Sequence, residues 1–363
     1  MQEKLKWAVI GGGNGGQSIS GHLGLMGFPV RLYDIFPDTV EAVNKQGGIE
    51  ISGAVQGFGK VELATGDIGE AVDGADIIMV VAPALAHQAI ARNCAPHLKD
   101  GQIILLHPGA TFGALEFNKV IKDEECKANV TIAEANSLLY ACRSPKPGYA
   151  SIFGIKNNLM IAAFPAAETK NVVKMLNTAF PQMYAAENVF ATSLGNANAM
   201  MHPGPTLLNT SMIESGRQWK YYWDGITPSV GAFVEAMDKE RVALGKAFGI
   251  ELTPILALYK ELYGTDAETL CEAVRQNQAY SEIEGQKTLR TRYILEDIPM
   301  GLVPMISLGK QAGTDVSMME TVVKMGEFLM GEDLTAGGRT LENLGLSQMS
   351  SDDIRQYVET GRN

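Results

Sequence analysis

Trp7-Ala8-Val9-Ile10-Gly11-Gly12-Gly13-Asn14-Gly15-Gly16-Gln17-Ser18-Ile19-Ser20-Gly21-His22-Leu23 is the stretch from which the fold is read. It opens as a buried strand, breaks into a glycine turn and restarts as a helix. Gly11, Gly13 and Gly16 fall at the G-x-G-x-x-G spacing: one glycine for the tight turn, one for backbone approach to a pyrophosphate, one for close packing of helix on strand. The helix N-terminus offers its unpaired N–H groups to the phosphates, which places Asn14 and Gly15 with the three glycines around the cofactor. Glycine-rich turns are common, so the context decides. A second strand, Pro29-Val30-Arg31-Leu32-Tyr33-Asp34, ends in a carboxylate at the distance this motif requires. Asp34 can accept hydrogen bonds from ribose hydroxyls and would repel a 2′-phosphate, so NAD is expected over NADP. Strand alternation points Arg31 away from Asp34.

Around this stretch, strands and helices alternate through the first half of the chain, the pattern of a parallel sheet covered on both faces. Gly47-Gly48 interrupts it, and Ile49–Ser52 with Lys60–Ala64 read as a β-hairpin insert. The strand Asp76–Val81 stops at Ala82-Pro83, which belongs beside the cofactor because ligands of open α/β sheets bind at the carboxyl ends of the strands. The strand Gln102–Leu106 ends in His107, and Val130–Asn136 leads to Arg143 at the same edge, where a guanidinium could grip a substrate carboxylate. The runs 150–154 and 159–164 are expected to complete the sheet. From about residue 190 long helical segments dominate, near 193–201, 205–217, 228–248, 253–262, 267–276 and 312–330. The expected architecture is α/β: a Rossmann-type doubly wound domain over 1–189, then an all-α substrate domain over 190–363.

With 363 residues, 46% hydrophobic and 20% charged, the chain has the composition of an ordinary globular protein of two domains. A formal charge of −11 argues against nucleic acid as partner and requires a local basic cluster for any anionic substrate. No apolar run is long enough to span a membrane, and Met1-Gln2-Glu3-Lys4 leads directly into the first strand; no membrane partner and a cytoplasmic location are expected. Cys94, Cys126, Cys142 and Cys271 stand apart, as reduced thiols rather than disulfides or a zinc site. No metal is expected, and apolar helix surfaces make a homodimer the expected assembly.

The second domain has one histidine, His202, among Pro203, Gly204 and Pro205, which must break any helix there. Asn198, Thr206 and Asn209 stand three or four residues apart around it and can share its face as substrate contacts. A histidine suits proton donation during hydride transfer, and it needs a carboxylate to fix its tautomer. Asp297, in Lys287-Thr288-Leu289-Arg290-Thr291-Arg292-Tyr293-Ile294-Leu295-Glu296-Asp297-Ile298-Pro299, is the candidate, with Lys287, Arg290 or Arg292 as counter-charge for substrate carboxylates. Read blandly, the same segment is a solvated charge run that ends a helix.

The glycine motif through Gln17, Leu139-Tyr140-Ala141-Cys142-Arg143, Met201-His202-Pro203-Gly204 and Arg292-Tyr293-Ile294-Leu295-Glu296-Asp297-Ile298-Pro299 together resemble the opine dehydrogenases, the octopine and nopaline dehydrogenase group, and most of all the bacterial N-(1-D-carboxyethyl)-L-norvaline dehydrogenase type. The resemblance covers nearly the whole chain. It implies NAD(P)H-dependent reductive condensation of a 2-oxo acid, often pyruvate, with the amino group of an L-amino acid. It also implies a histidine–aspartate proton relay, carried onto His202 and Asp297, with the substrate in a cleft between domains. One departure stands out: where many relatives have Thr-Leu-Pro-Tyr-Ala-Cys-Arg, this chain carries Leu139 in place of the proline. A 2-oxo acid reductase resembling ketopantoate reductase or glycerol-3-phosphate dehydrogenase, and a non-catalytic NAD-binding sensor, are the alternatives.

Overall fold

The computed structural model describes residues 4–362. Its contacts divide the chain into two units, one made of residues up to Ser193 with the tail from Gln356, the other of Leu194–Arg355. The sequence assigned that tail to the second domain. It groups with the first because Tyr357 packs on Phe164 at 4.9 Å between ring centroids and Glu359 accepts a hydrogen bond of 2.6 Å from Asn188.

Among the described residues the first unit carries twelve strands: β1 (Trp7–Ile10), β2 (Val30–Tyr33), β3 (Gly48–Gly53), β4 (Gly57–Lys60), β5 (Leu63–Thr65), β6 (Ile77–Val80), β7 (Ile103–Leu106), β8 (Thr131–Ala135), β9 (Tyr140–Lys146), β10 (Tyr149–Ile155), β11 (Leu159–Phe164) and β12 (Met183–Ala185). Eight form the main sheet in the order β12-β11-β8-β7-β6-β1-β2-β5. Its pairs are parallel except β11 with β8. The central strands β1, β6 and β7 are buried at every position, as continuous apolar runs in a two-sided sheet require.

A second sheet, β4-β3-β10-β9, differs from the sequence reading in two ways. The hairpin arm is Gly57–Lys60, while Leu63–Thr65 continues to the edge of the main sheet. Residues 150–154 lie in β10, which pairs with β3 and β9 and so extends the small sheet rather than the main one. The helix Asn14–Leu25 can lie close to this sheet because Gly21 and Gly59 leave no side chain between them: a Cβ on Gly59 would stand 1.8 Å from the Gly21 carbonyl oxygen.

Two buried polar devices fix the ligand-facing edge of the first unit. Glu134, fully buried at the end of β8, accepts from the Ala114 N–H at 2.8 Å and from the Thr192 and Ser193 hydroxyls at 2.7 and 2.6 Å. His107, just after β7, accepts the Leu139 N–H at 2.8 Å through Nε2 and holds Nδ1 at 3.3 Å from the Met79 sulfur. Burial, with the charge of Lys156 added, pushes the His107 pKa down to about 3. The imidazole is therefore held neutral, as an anchor for the loop at Leu139.

In the second unit the helices Pro228–Ala247, Ile255–Tyr263, Leu270–Gln276, Val303–Ala312 and Ser317–Met330 supply the bulk. The segment around His202 is not one helix: Pro203 and Pro205 divide it into Asn198–Met201, Pro203–Leu208 and Thr210–Glu214. Val303–Ala312 lies outside the helical segments expected from the sequence, and it carries a proline, Pro304. It sits in the first turn, where the missing N–H has no helical partner to lose. Asp238 and Arg241 form a buried pair at 2.6 Å whose remaining donors and acceptors reach Leu194, Thr253 and Ile255 of the main chain.

Two expectations follow. The unfolded chain protonates a histidine near 6.5 and folded His107 only near 3, so between these values the unfolded state binds more protons. Stability carried by neutral His107 is complete above that window and is lost as pH falls through it. Melting temperature should therefore drop across the window, and more shallowly in His107→Gln, which accepts a hydrogen bond without titrating. At the glycine turn, a Cβ on Gly16 would lie 1.6 Å from the Gly11 carbonyl oxygen, whereas one on Gly13 meets nothing within 4 Å. Gly16→Ala should lower the melting temperature. Gly13→Ala should melt like the parent yet lose NADH affinity in a fluorescence titration, and unchanged affinity would contradict the placement of the pyrophosphate.

Candidate active site

The first unit presents a dinucleotide cradle. Gly11 adopts φ +110°, a conformation open to glycine, and a Cβ there would strike the Val81 carbonyl oxygen at 2.5 Å. The helix Asn14–Leu25 starts from Gly13 with no side chain capping it, so its first N–H groups are available to an anion. Asp34 follows β2, is 6% exposed, and points its carboxylate at Gly12, where a Cβ would stand 2.4 Å from Oδ2. No described residue donates a hydrogen bond to that carboxylate, which suits ribose hydroxyls. Arg31 turns away, as alternation requires, onto the carbonyls of Glu70 and Asp73 at 2.7 and 2.8 Å. Ala82 and Pro83 follow β6 beside Gly11, and Pro83 precedes the short turn Ala84–Ala86.

Asn14 does a second job besides the one its position suggested. Its side-chain oxygen accepts the Ser144 N–H at 2.7 Å, tying the small sheet to the helix start, and its side-chain NH2 and main-chain N–H are left for phosphate. Gln17 does the same work, donating to the Gly12 carbonyl and accepting the Gly148 N–H, each at 2.8 Å. Arg143 lies in the small sheet rather than on a strand of the main sheet, yet beside the glycine turn, because its neighbours Cys142 and Ser144 both contact Asn14. It lies inside β9, where alternation turns Cys142 inward and Arg143 outward, and its exposed guanidinium donates to the Cys142 carbonyl at 3.1 Å.

The second unit brings His202 and Asp297 together across 95 positions of sequence: Nδ1 and Oδ2 are 2.8 Å apart and both residues are buried. The carboxylate assigns a proton to Nδ1, which leaves Nε2 as the acceptor nitrogen of the neutral tautomer. The ring is fixed from other sides as well. Tyr293 stacks on it at 3.7 Å between centroids with planes 1° apart, and Tyr221 stands edge-on at 6.5 Å. The Tyr221 hydroxyl donates to the His202 carbonyl at 2.9 Å, and burial holds its pKa well above the usual tyrosine range. Asp297 opens a π-helical turn, Ile298–Leu302, in which the Leu302 N–H reaches back five residues to the Asp297 carbonyl.

Other expected substrate contacts separate. Asn198 is exposed and opens the helical turn that ends at His202, its carbonyl accepting the His202 N–H at 2.9 Å. Thr206 is fully buried with its hydroxyl 3.0 Å from Tyr221, so it supports the tyrosine and does not face a substrate. Asn209 is likewise spent on the carbonyls of Pro205 and Gly225. Arg290 pairs with Glu332 at 3.2 Å. Arg292, 61% exposed and 3.6 Å from Glu296, presents its guanidinium to solvent one turn before Asp297. Lys287 is exposed. Tyr293 was missed although it stands four residues before Asp297 on the same helical face; Tyr221 had no local signal. Among the described residues no cluster fits a metal ion, and no helix is long and apolar enough to cross a membrane.

Comparison with known proteins agrees with both units. Residues 185–330 match the family model for the NAD/NADP octopine/nopaline dehydrogenase alpha-helical domain, and residues 6–133 match the NAD-dependent glycerol-3-phosphate dehydrogenase N-terminus. The opine dehydrogenase of Arthrobacter sp. (strain 1C) is 42% identical over 360 residues, covering 99% of this chain and all of that one. Octopine dehydrogenase of Pecten maximus is 23% identical over 92% of each chain. In fold, the chain is similar to an octopine dehydrogenase solved with NADH and L-arginine (TM-score 0.82, 21% identity, 99% of each chain) and to yersinopine dehydrogenase with NADP+ bound (TM-score 0.71, 15% identity, 99% of each). The N-terminal unit is a Rossmann-like NAD-binding fold, the helical unit is that of octopine dehydrogenases, and the chain belongs to the opine dehydrogenase family, the NAD(P)-dependent oxidoreductases that act on the CH–NH group of donors.

Proposed function

We propose that the enzyme condenses a 2-oxo acid, such as pyruvate, with the amino group of an L-amino acid and reduces the product to a secondary amine dicarboxylate, using NADH in preference to NADPH. The observation that carries this reading is the buried His202–Asp297 pair, a proton relay held in one orientation by Tyr293 and Tyr221. NADH supplies the hydride when bound.

The chain's own residues divide the remaining work. His202, protonated on Nε2, gives its proton to the departing oxygen of the carbinolamine, so that water leaves as the nitrogen lone pair forms the C=N bond of a protonated imine, the acceptor of hydride. Asp297 stabilises the imidazolium through Nδ1 and fixes the tautomer. Stacking on Tyr293 excludes water from one face of the ring. Arg292, whose nearest carboxylate is 3.6 Å away and only loosely engaged, is proposed to exchange that contact for a substrate carboxylate, with Asn198 one turn before His202 as a polar contact. The structurally similar octopine dehydrogenase is described with pyruvate in one complex and L-arginine in another, which supports a 2-oxo acid and an amino acid as the two substrates. The NADH preference rests on Asp34, whose carboxylate faces the ribose position and would meet a 2′-phosphate with like charge.

NADH oxidation should require both pyruvate and a member of an amino-acid panel; oxidation with the oxo acid alone would instead mark a simple reductase, and none with any substrate a sensor. His202→Ala should bind NADH like the parent while turnover falls by about 10²- to 10⁴-fold. Undiminished turnover in that variant removes His202 from the mechanism.

A further inference from the structure

Lys156, whose charge acts on His107, stands at the carboxyl edge of the main sheet. The strand order sets its position relative to a bound dinucleotide. Asp34 follows β2 and the glycine turn follows β1, so the cofactor runs from the ribose site across Gly13 toward the ends of β6 and β7. The next strand in that direction is β8, and the loop 136–139 leaves its end. The Lys156 ammonium donates to the Ser137 hydroxyl of this loop, and its main-chain N–H donates to the Leu139 carbonyl at 2.9 Å.

That loop is held on two further sides. The Leu139 N–H is bound by His107 at the end of β7, and the Leu138 side chain lies against Gly15, where a Cβ would stand 3.2 Å away. Lys156 is thus a cation attached to a fixed platform on the nicotinamide half of the sheet edge. Its charge is not neutralised there: Ser137 is a neutral partner, and among the described residues no carboxylate pairs with it. Glu134, the acid that ends β8, is already occupied by Ala114, Thr192 and Ser193. Lys156 is exposed as a residue, while desolvation of its ammonium by the surrounding protein holds its pKa below the usual lysine range. An unneutralised cation held in this way is a cost that an arriving anion removes.

We propose that Lys156 binds the carboxylate of the 2-oxo acid, the group attached to the carbon that accepts hydride. The assignment rests on the opine dehydrogenase reaction proposed above. It gives the first unit a cation at the end of β8, in addition to Arg143 in β9, and leaves Arg292 for the carboxylate of the amino acid.

Oxamate, a pyruvate-like carboxylate that cannot be reduced, is the probe. Its binding to the enzyme–NADH complex is measured by calorimetry for the parent, Lys156→Met and Lys156→Arg, alongside steady-state kinetics. Lys156→Met should weaken oxamate and raise the KM for the oxo acid by about 10- to 100-fold, the loss expected of one charge-assisted contact. NADH affinity, melting temperature and the KM for the amino acid should not move, and Lys156→Arg should recover most of the loss. Unchanged oxamate binding in Lys156→Met overturns the assignment, as does a loss matched by equal loss of NADH affinity or of thermal stability. A rise confined to the KM of the amino acid overturns it too. Failure of the parent to turn over any oxo acid and amino acid overturns the reaction itself, while the oxamate titration still reports on Lys156.

Discussion

The hydrogen bond from His202 to Asp297 is the constraint around which the helical unit is arranged. A histidine used for proton transfer must keep one nitrogen reserved and one free, and thermal rotation about its side-chain bonds defeats that unless neighbours oppose it. Here a carboxylate holds Nδ1, a parallel tyrosine ring holds the face, and a second tyrosine holds the backbone carbonyl. The irregular backbone serves the same end. Prolines 203 and 205 break the helix at His202, and the π turn that follows Asp297 lets a carboxylate 95 positions away meet it. Gly301 contributes by allowing the π turn to approach Ala199, where a Cβ would stand 2.9 Å from that alanine's own.

The Rossmann unit meets a different demand, that of bringing main chain against an anion. Its solution is steric: Gly11 and Gly16 face each other too closely for any side chain, and Gly13 opens onto unfilled space. The ligand-facing edge is then stiffened by polar groups that do no chemistry. Glu134 gathers one helix start and two hydroxyls, and His107 stays neutral to accept the Leu139 N–H. That last bond gives the departure at Leu139 a physical consequence. A proline at this position would have no N–H to give His107, so leucine is what allows this loop to be held by that contact.

Much of this was legible in the sequence because it obeys local rules. Glycine spacing, the carboxylate ending β2 and alternation at Arg31 rest on contacts within a few residues or one strand pair, and each matches the geometry found. The His202–Asp297 pairing was reachable through the two proline-bounded segments and the family resemblance together. What escaped depends on distant contacts. Nothing near Thr206 announces that its hydroxyl is taken by Tyr221, and nothing near Tyr149–Ile155 says that this strand joins the small sheet. Arg143 stays beside the glycine turn, as its position in sequence suggested, but on a strand of the small sheet, which no local signal announces. The tail from Gln356 follows helices in sequence yet packs with the first unit through Tyr357 and Glu359.

The central claim is that His202 and Asp297 act as one device, and the most direct measurement is a double-mutant cycle on single-turnover NADH oxidation with saturating oxo acid and amino acid. His202→Ala, Asp297→Ala and the pair are compared with the parent. A relay predicts strong non-additivity, with the double variant about as slow as His202→Ala alone, because Asp297 works only through the imidazole. Losses that multiply, so that removing Asp297 slows an enzyme already lacking His202 by its full single-variant factor, would contradict the account.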